Sequence, residues 1–255
     1  MTVSFGTTYP KTRKLTIRAC EDRIISAFPD FTVRRAFSSQ MIIDILQKRD
    51  GINIDNPEEA LLKLKKDNFS QVILQPLHLI PGTEYHKLAK IVNKYKNQFS
   101  QLKLGEPLFY KNKDYELVSK ALQEQLPVTG EKEAVIFMGH GSKHPANSIY
   151  TCLDYYFKDK GLNNIWVGTV EGYPEIDSII PQLQKRNIEK VTLMPLMLVA
   201  GDHAQNDMIG EKDSWKSILE KNGFTVDTYL HGLGENKKIQ KIYVNKLKTI
   251  TGDFE

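Results

Sequence analysis

The chain carries one pattern twice, and that duplication restricts its fold more than any other feature. Residues 71–84 align without gaps on residues 190–203, sharing a Pro-Leu-x-Leu core and a glycine two positions before the end. A looser echo joins Val3-Ser4-Phe5-Gly6-Thr7 to Ile136-Phe137-Met138-Gly139-His140. In both halves, short apolar runs alternate with segments of helical period. The expected strands are 2–5, 31–37, 71–79 and 102–109, then 134–138, 165–170, 191–199 and 225–230. Such alternation predicts parallel sheets flanked by helices. The expectation is therefore an α/β protein of two similar lobes, 1–126 and 134–255, with ligands held in the cleft between them. The polar, Pro- and Gly-bearing stretch 126–133 is the expected junction. The closing helix, 236–250, is free to pack back on the first lobe.

Two helices are legible in more detail. Met41, Ile42, Ile45 and Leu46 form one apolar face behind the candidate N-caps Ser38 and Ser39. Pro57 suits a first helical turn, with Ala60, Leu61 and Leu64 as the buried side.

Composition narrows the function classes. No apolar run approaches the roughly 20 residues of a membrane span; the longest, 193–200, contains Pro195. The first residues lack a charged start and apolar middle, so a cytoplasmic protein with no membrane association is expected. Cys20 and Cys152 belong to no Cys-x-x-Cys pattern, which excludes a disulfide framework and a thiolate metal site. Both are expected to be buried on helices. The net charge of +4 is spread over Lys-rich helices without an Arg-rich, aromatic-interleaved stripe, so nucleic acid is not an expected partner. A mild positive excess fits a small polyanionic substrate, and it equally fits an ordinary solvated lysine surface.

Three strand-like runs in the second half end on potential metal ligands. They lead to His140 in Gly139-His140-Gly141, to Glu171 in Glu171-Gly172-Tyr173-Pro174, and to His203 in Gly201-Asp202-His203. The near-equal spacing suits one βα unit between successive ligands, and parallel strands bring such ends to one edge. Two imidazoles and a carboxylate leave coordination positions open, as the handling of an incoming ion requires. Read singly, His140 is an ordinary loop histidine, Asp202-His203 a helix cap, and Glu171 a charge at a helix start. At the positions equivalent to His140 and His203 the first half has Thr7 and Glu84, so the two lobes divide their roles. His144 lies four residues after His140, but Gly141 and Pro145 oppose a shared helix, leaving it as a substrate contact. His78, within Pro76-Leu77-His78-Leu79, reads as a buried, hydrogen-bonded core residue; His86 and His231 read as surface or substrate-edge residues.

Taken together, these segments resemble the anaerobic cobalt chelatase family, the sirohydrochlorin cobaltochelatases of the class II chelatases. The resemblance is carried by Ser4-Phe5-Gly6-Thr7-Thr8-Tyr9 with Thr12-Arg13, Arg35-Ala36-Phe37, Arg49-Asp50-Gly51-Ile52 and Gly82-Thr83-Glu84-Tyr85. It continues through Phe137-Met138-Gly139-His140-Gly141, Val170-Glu171-Gly172-Tyr173-Pro174-Glu175 and the long run from Leu193 to Asp207-Met208. The segments fall in order over nearly the whole chain.

The resemblance implies the two-lobed chelatase fold and insertion of Co²⁺ into sirohydrochlorin or precorrin-2, with release of two protons, toward cobalamin. His140, Glu171 and His203 take the family's metal positions, and His140 also that of the base. Co²⁺ is a substrate here and no organic cofactor is implied. The same donors accept Fe²⁺ or Ni²⁺, so iron loading for sirohaem is the alternative within the class. A non-catalytic tetrapyrrole or metal carrier and a metal-dependent hydrolase are the alternatives outside it. A polycarboxylate macrocycle calls for cationic donors, for which Arg13, Arg35 and Lys143 are candidates. Tyr9 and Tyr85 suit its flat face. With Thr7, Glu84 and His144 these complete the expected substrate contacts. A homo-oligomer is compatible with all of this.

Overall fold

A computed structural model describes residues 1–127 and 130–252. The chain divides into two compact units, Met1–Tyr110 with Gly234–Glu255, and Lys111–Leu233.

The first unit holds β1 (Thr2–Ser4), β2 (Arg35–Phe37), β3 (Gln71–Pro76) and β4 (Gln101–Leu104), all parallel, in the order β2-β1-β3-β4. Helix α1 (Pro10–Arg13) runs through a wide π-helical turn, Lys14–Arg18, into α2 (Ala19–Ala27). Then come α3 (Gln40–Asp50), α4 (Pro57–Lys66) and α5 (Thr83–Tyr95). α4 starts as its sequence dictates. Asn56 accepts from the Glu58 and Glu59 amides, Glu59 reaches back to the Asn56 amide, and Pro57 occupies the first turn. Its buried face is Pro57, Ala60, Leu61 and Leu64. In α3, Ser39 is the N-cap, but the buried residues are Ile43 and Leu46. Met41 and Ile45 are 64% and 38% exposed, so the inward stripe is rotated from the expected one.

The second unit holds α6 (Asn112–Gln123), β5 (Glu133–Gly141), α7 (Ser148–Asp159), β6 (Ile165–Glu171), α8 (Ile176–Lys185), β7 (Lys190–Leu196), α9 (Trp215–Lys221) and β8 (Thr225–Thr228). Its strands are again all parallel, in the order β6-β5-β7-β8. This is the first unit's order, strand for strand, as the duplicated sequence requires. All eight expected strands are present. The central β5 and β7 are nearly all buried, and Ile136, Met138, Val191 and Leu193 pack with Trp166 and Trp215 in one core.

The units exchange their final helices relative to the expected limits of 1–126 and 134–255. α6 belongs with the second unit, where Tyr115 stacks on Tyr156 of α7 with ring centroids 6.3 Å apart. The closing helix α10 (Lys237–Thr251) belongs with the first. It packs on α2, and its Tyr243 hydroxyl donates to the Leu77 carbonyl at 3.0 Å. The expected junction, 126–133, includes Val128 and Thr129, which lie outside the described residues.

Cys20 is buried as expected, but Cys152 is exposed. The buried face of α7 is Tyr150, Leu153 and Phe157, and position 152 lies well around the helix from it. No helix among the described residues is long and apolar enough to cross a membrane.

Candidate metal centre

In each sheet the chain first steps outward on one side of its opening strand and then crosses to the other. The switch point therefore lies between β1 and β3 in the first unit and between β5 and β7 in the second. Ligands of open parallel sheets bind outside the strand C-termini at such a point. His140 ends β5 and His203 follows β7, so both lie at the second unit's switch point.

Their imidazoles meet there edge to face, with ring centroids 4.3 Å apart at 81°. The His140 Nδ1 lies 3.0 Å from the Gly141 carbonyl oxygen, and the His203 Nδ1 lies 2.7 Å from Asp207 Oδ2. A carbonyl and an ionised carboxylate can only accept, so each Nδ1 carries the proton. In the neutral rings both Nε2 lone pairs are then available to a cation or a proton. Asp207 stands four residues after His203, within the π-helical turn Ala204–Met208 that begins next to the histidine.

The flanking glycines have a packing reason. A Cβ on Gly139 would stand 2.4 Å from the Tyr150 ring, and one on Gly141 would stand 2.3 Å from the Glu171 carbonyl oxygen. Gly141 also has φ +83°, a conformation that strains any side chain. The Tyr150 phenol, buried beneath this strand end, is pushed up to about 12 by burial, partly offset by a hydrogen bond with the Gly141 backbone.

Glu171 pairs in register with Gly141, on the side of β5 away from β7, and its side chain is exposed. The structure thus brings His140 and His203 together and leaves Glu171 on the neighbouring strand end. Among the described residues, no three His, Cys, Asp or Glu side chains gather closely enough to hold an ion. Asn147 ties the two loops together. Its Oδ1 accepts from the Ser142 amide at 2.9 Å and its Nδ2 donates to the Tyr173 carbonyl at 2.7 Å. Lys143 is exposed. His144 uses Nδ1 to cap the short turn Pro145–Asn147, accepting from the Ala146 amide at 3.1 Å.

The first unit's switch point is built from different groups. Thr7 is buried, and its carbonyl accepts from Arg13 at 3.0 Å, while the Thr8 carbonyl accepts from Arg49 at 2.6 Å. Two guanidiniums therefore brace the loop after β1. Tyr9, on the same loop, is 36% exposed. Arg35 is engaged by both carboxylate oxygens of Glu21. Glu84, in the first turn of α5, accepts from Lys87 at 2.6 Å through one oxygen, while its other oxygen is buried without a hydrogen-bond partner. Tyr85 is buried against Tyr110, ring centroids 5.9 Å apart, and burial raises its phenol. His78 departs from a satisfied core residue. Its Nδ1 has no partner and its Nε2 lies 3.5 Å from Ser38 Oγ. Burial holds the imidazole down to about 4, against the opposing pull of Glu84. His86 and His231 are exposed.

The profile of the family described as cobalt chelatase (CbiK) matches residues 1–251. The chain belongs to the CbiK cobalt chelatase family. It is 43% identical over 248 residues to a sirohydrochlorin cobaltochelatase of Salmonella typhimurium, covering 97% of this chain and 94% of that one. It is 35% identical over 240 residues to the sirohydrochlorin cobaltochelatase CbiKC of Nitratidesulfovibrio vulgaris, covering 91% and 83%. Among solved structures, Bacillus subtilis SirB with Fe³⁺ aligns over 100% of this chain and 97% of its own, with a TM-score of 0.59 at 12% identity. At that identity the likeness is one of fold, and it establishes the duplicated chelatase architecture.

Against this CbiK-family framework, sequence reasoning overlooked Asp207 and the bridging role of Asn147. The first was visible as an acidic residue four positions after a candidate ligand, a helical spacing. The second left no signal before the loops were seen together.

Proposed function

We propose that this chain is a sirohydrochlorin cobaltochelatase, inserting Co²⁺ into sirohydrochlorin or precorrin-2 and releasing two protons on the route to cobalamin. The observation that carries this reading is the His140–His203 pair, with both Nδ1 atoms tethered and both Nε2 atoms available, at the switch point of a CbiK-family sheet.

The chemistry follows from the donor set. Neutral imidazoles suit Co²⁺, which is of borderline softness, and bind it without the hold a thiolate would exert. Glu171 is the third donor in this reading, swinging in from the adjacent strand end to offset part of the ion's charge. A neutral imidazole with a free Nε2 lone pair is a proton acceptor, so His140 is the base that takes a pyrrole proton. A cation on the same ring lowers that basicity, so ligation and proton removal by His140 fall at different moments. In this reading Lys143 and His144 are the carboxylate contacts offered by the second unit; on the first unit Arg13 and Thr7 are proposed for carboxylates, Tyr9 for the ring face, and Glu84 and Tyr85 as further substrate contacts.

The test is turnover. Purified protein, Co²⁺ and excess sirohydrochlorin are mixed and the absorption spectrum is followed. Multiple equivalents of the cobalt complex per chain support an enzyme; one equivalent or fewer would mark a carrier instead.

A further inference from the structure

His140 and His203 are tethered by acceptors of different strength. His140 Nδ1 faces a neutral backbone carbonyl supplied by its own neighbour, Gly141, at 3.0 Å. His203 Nδ1 faces the Asp207 carboxylate at 2.7 Å, a charge-assisted bond of about twice the strength of a neutral one. The side chains of His203 and Asp207 are 31% and 41% exposed, so the pair sits at the rim of the sheet and not in the core. The contact is local, one turn of chain after the histidine, and it fixes both the tautomer and the rotation of the ring.

We propose that Asp207 is the positioning residue of the metal centre, turning His203 into the stronger donor that first captures and holds the incoming divalent cation. The carboxylate keeps the proton on Nδ1, aims Nε2 at the space shared with His140, and increases electron donation through the ring. His140, backed only by a carbonyl, is the weaker ligand and the one that releases the ion. This inference rests on the chelatase reading only for the step that follows capture; cation binding is a property of the protein alone.

The test measures Co²⁺ affinity of the protein without tetrapyrrole by titration calorimetry, and the cobalt KM and kcat of insertion. Parent, Asp207→Ala, Asp207→Asn and His203→Ala are compared. Asp207→Ala is expected to weaken Co²⁺ binding and raise the cobalt KM by about 10- to 100-fold, with much less change in kcat. Asp207→Asn, whose Oδ1 still accepts the Nδ1 proton but carries no charge, is expected to keep the ring's orientation and recover only part of that loss. A purely structural role would instead lower the melting temperature and leave the affinity of the folded fraction unchanged. Parental Co²⁺ affinity in Asp207→Ala overturns the proposal, as does a parent that binds no Co²⁺. A parent that binds Co²⁺ but inserts none removes the chelatase reading, and the calorimetry then judges Asp207 on its own.

Discussion

The imidazoles of His140 and His203 approach to 4.3 Å between ring centroids, although 63 positions separate them in the chain. The contact follows from topology: β5 and β7 are hydrogen-bonded neighbours, Glu133 to Gly139 pairing with Lys190 to Leu196. Whatever follows either strand is therefore delivered to the same edge.

Removing either imidazole tests whether that contact carries chemistry or only packing. His140→Ala and His203→Ala are each expected to lower cobalt insertion by at least about 100-fold. Both side chains are partly exposed, so thermal melts of the two variants should stay close to the parent. Insertion rates are read spectrophotometrically beside the melts.

Gly141→Ala is expected to fail differently. The new methyl group would meet the Glu171 carbonyl at 2.3 Å, and the residue would be held at φ +83°. Stability should fall by about 2 kcal/mol or more, seen as a lower urea midpoint. Insertion should fall with it, because the ends of β5 and β6 are forced apart.

Asn147→Ala should separate loop order from core packing. It removes the two hydrogen bonds that link the segment after His140 to the segment after Glu171. The expected cost is about 1–2 kcal/mol, with an insertion rate reduced by about tenfold or more through misplaced ligands. Parental rates in this variant would show that the two loops need no common tether.

His78 gives the fold a pH dependence of known sign. Its folded-state value is lowered from 6.5 to about 4, chiefly by burial. The unfolded chain therefore takes up this proton at a higher pH than the folded one. The associated stability is complete above pH 6.5 and is lost as the pH falls from there toward 4, amounting to about 2 kcal/mol at pH 5. Urea midpoints of the parent and His78→Gln at pH 7 and pH 5 check this. The parent should lose more between the two values than the variant does.

Much of this was legible in the sequence because it rests on periodicity and repetition. The aligned segments 71–84 and 190–203 became equivalent central strands, β3 and β7, and the three ligand-tipped runs became β5, β6 and β7. Details that depend on rotation or on partners from elsewhere were not legible. The α3 stripe runs through Ile43 and Leu46, because Met41 and Ile45 turn outward; five apolar residues in six, from Met41 to Leu46, admit either stripe. Cys152 is exposed because the buried side of α7 is set by Tyr150, Leu153 and Phe157. The exchange of α6 and α10 between units is invisible to any local pattern, since each helix is amphipathic whichever sheet receives it. At the site, the pairing of the two histidines followed from topology, whereas the tether from Asp207 and the outward stance of Glu171 are side-chain matters.

The most direct measurement is X-ray absorption spectroscopy of the protein loaded with one equivalent of Co²⁺, in the parent and in His203→Ala. Joint ligation by His140 and His203 predicts two imidazole ligands with additional oxygen donors in the parent and the loss of one imidazole in the variant. A cobalt shell of oxygens alone, or one unchanged by His203→Ala, would contradict it.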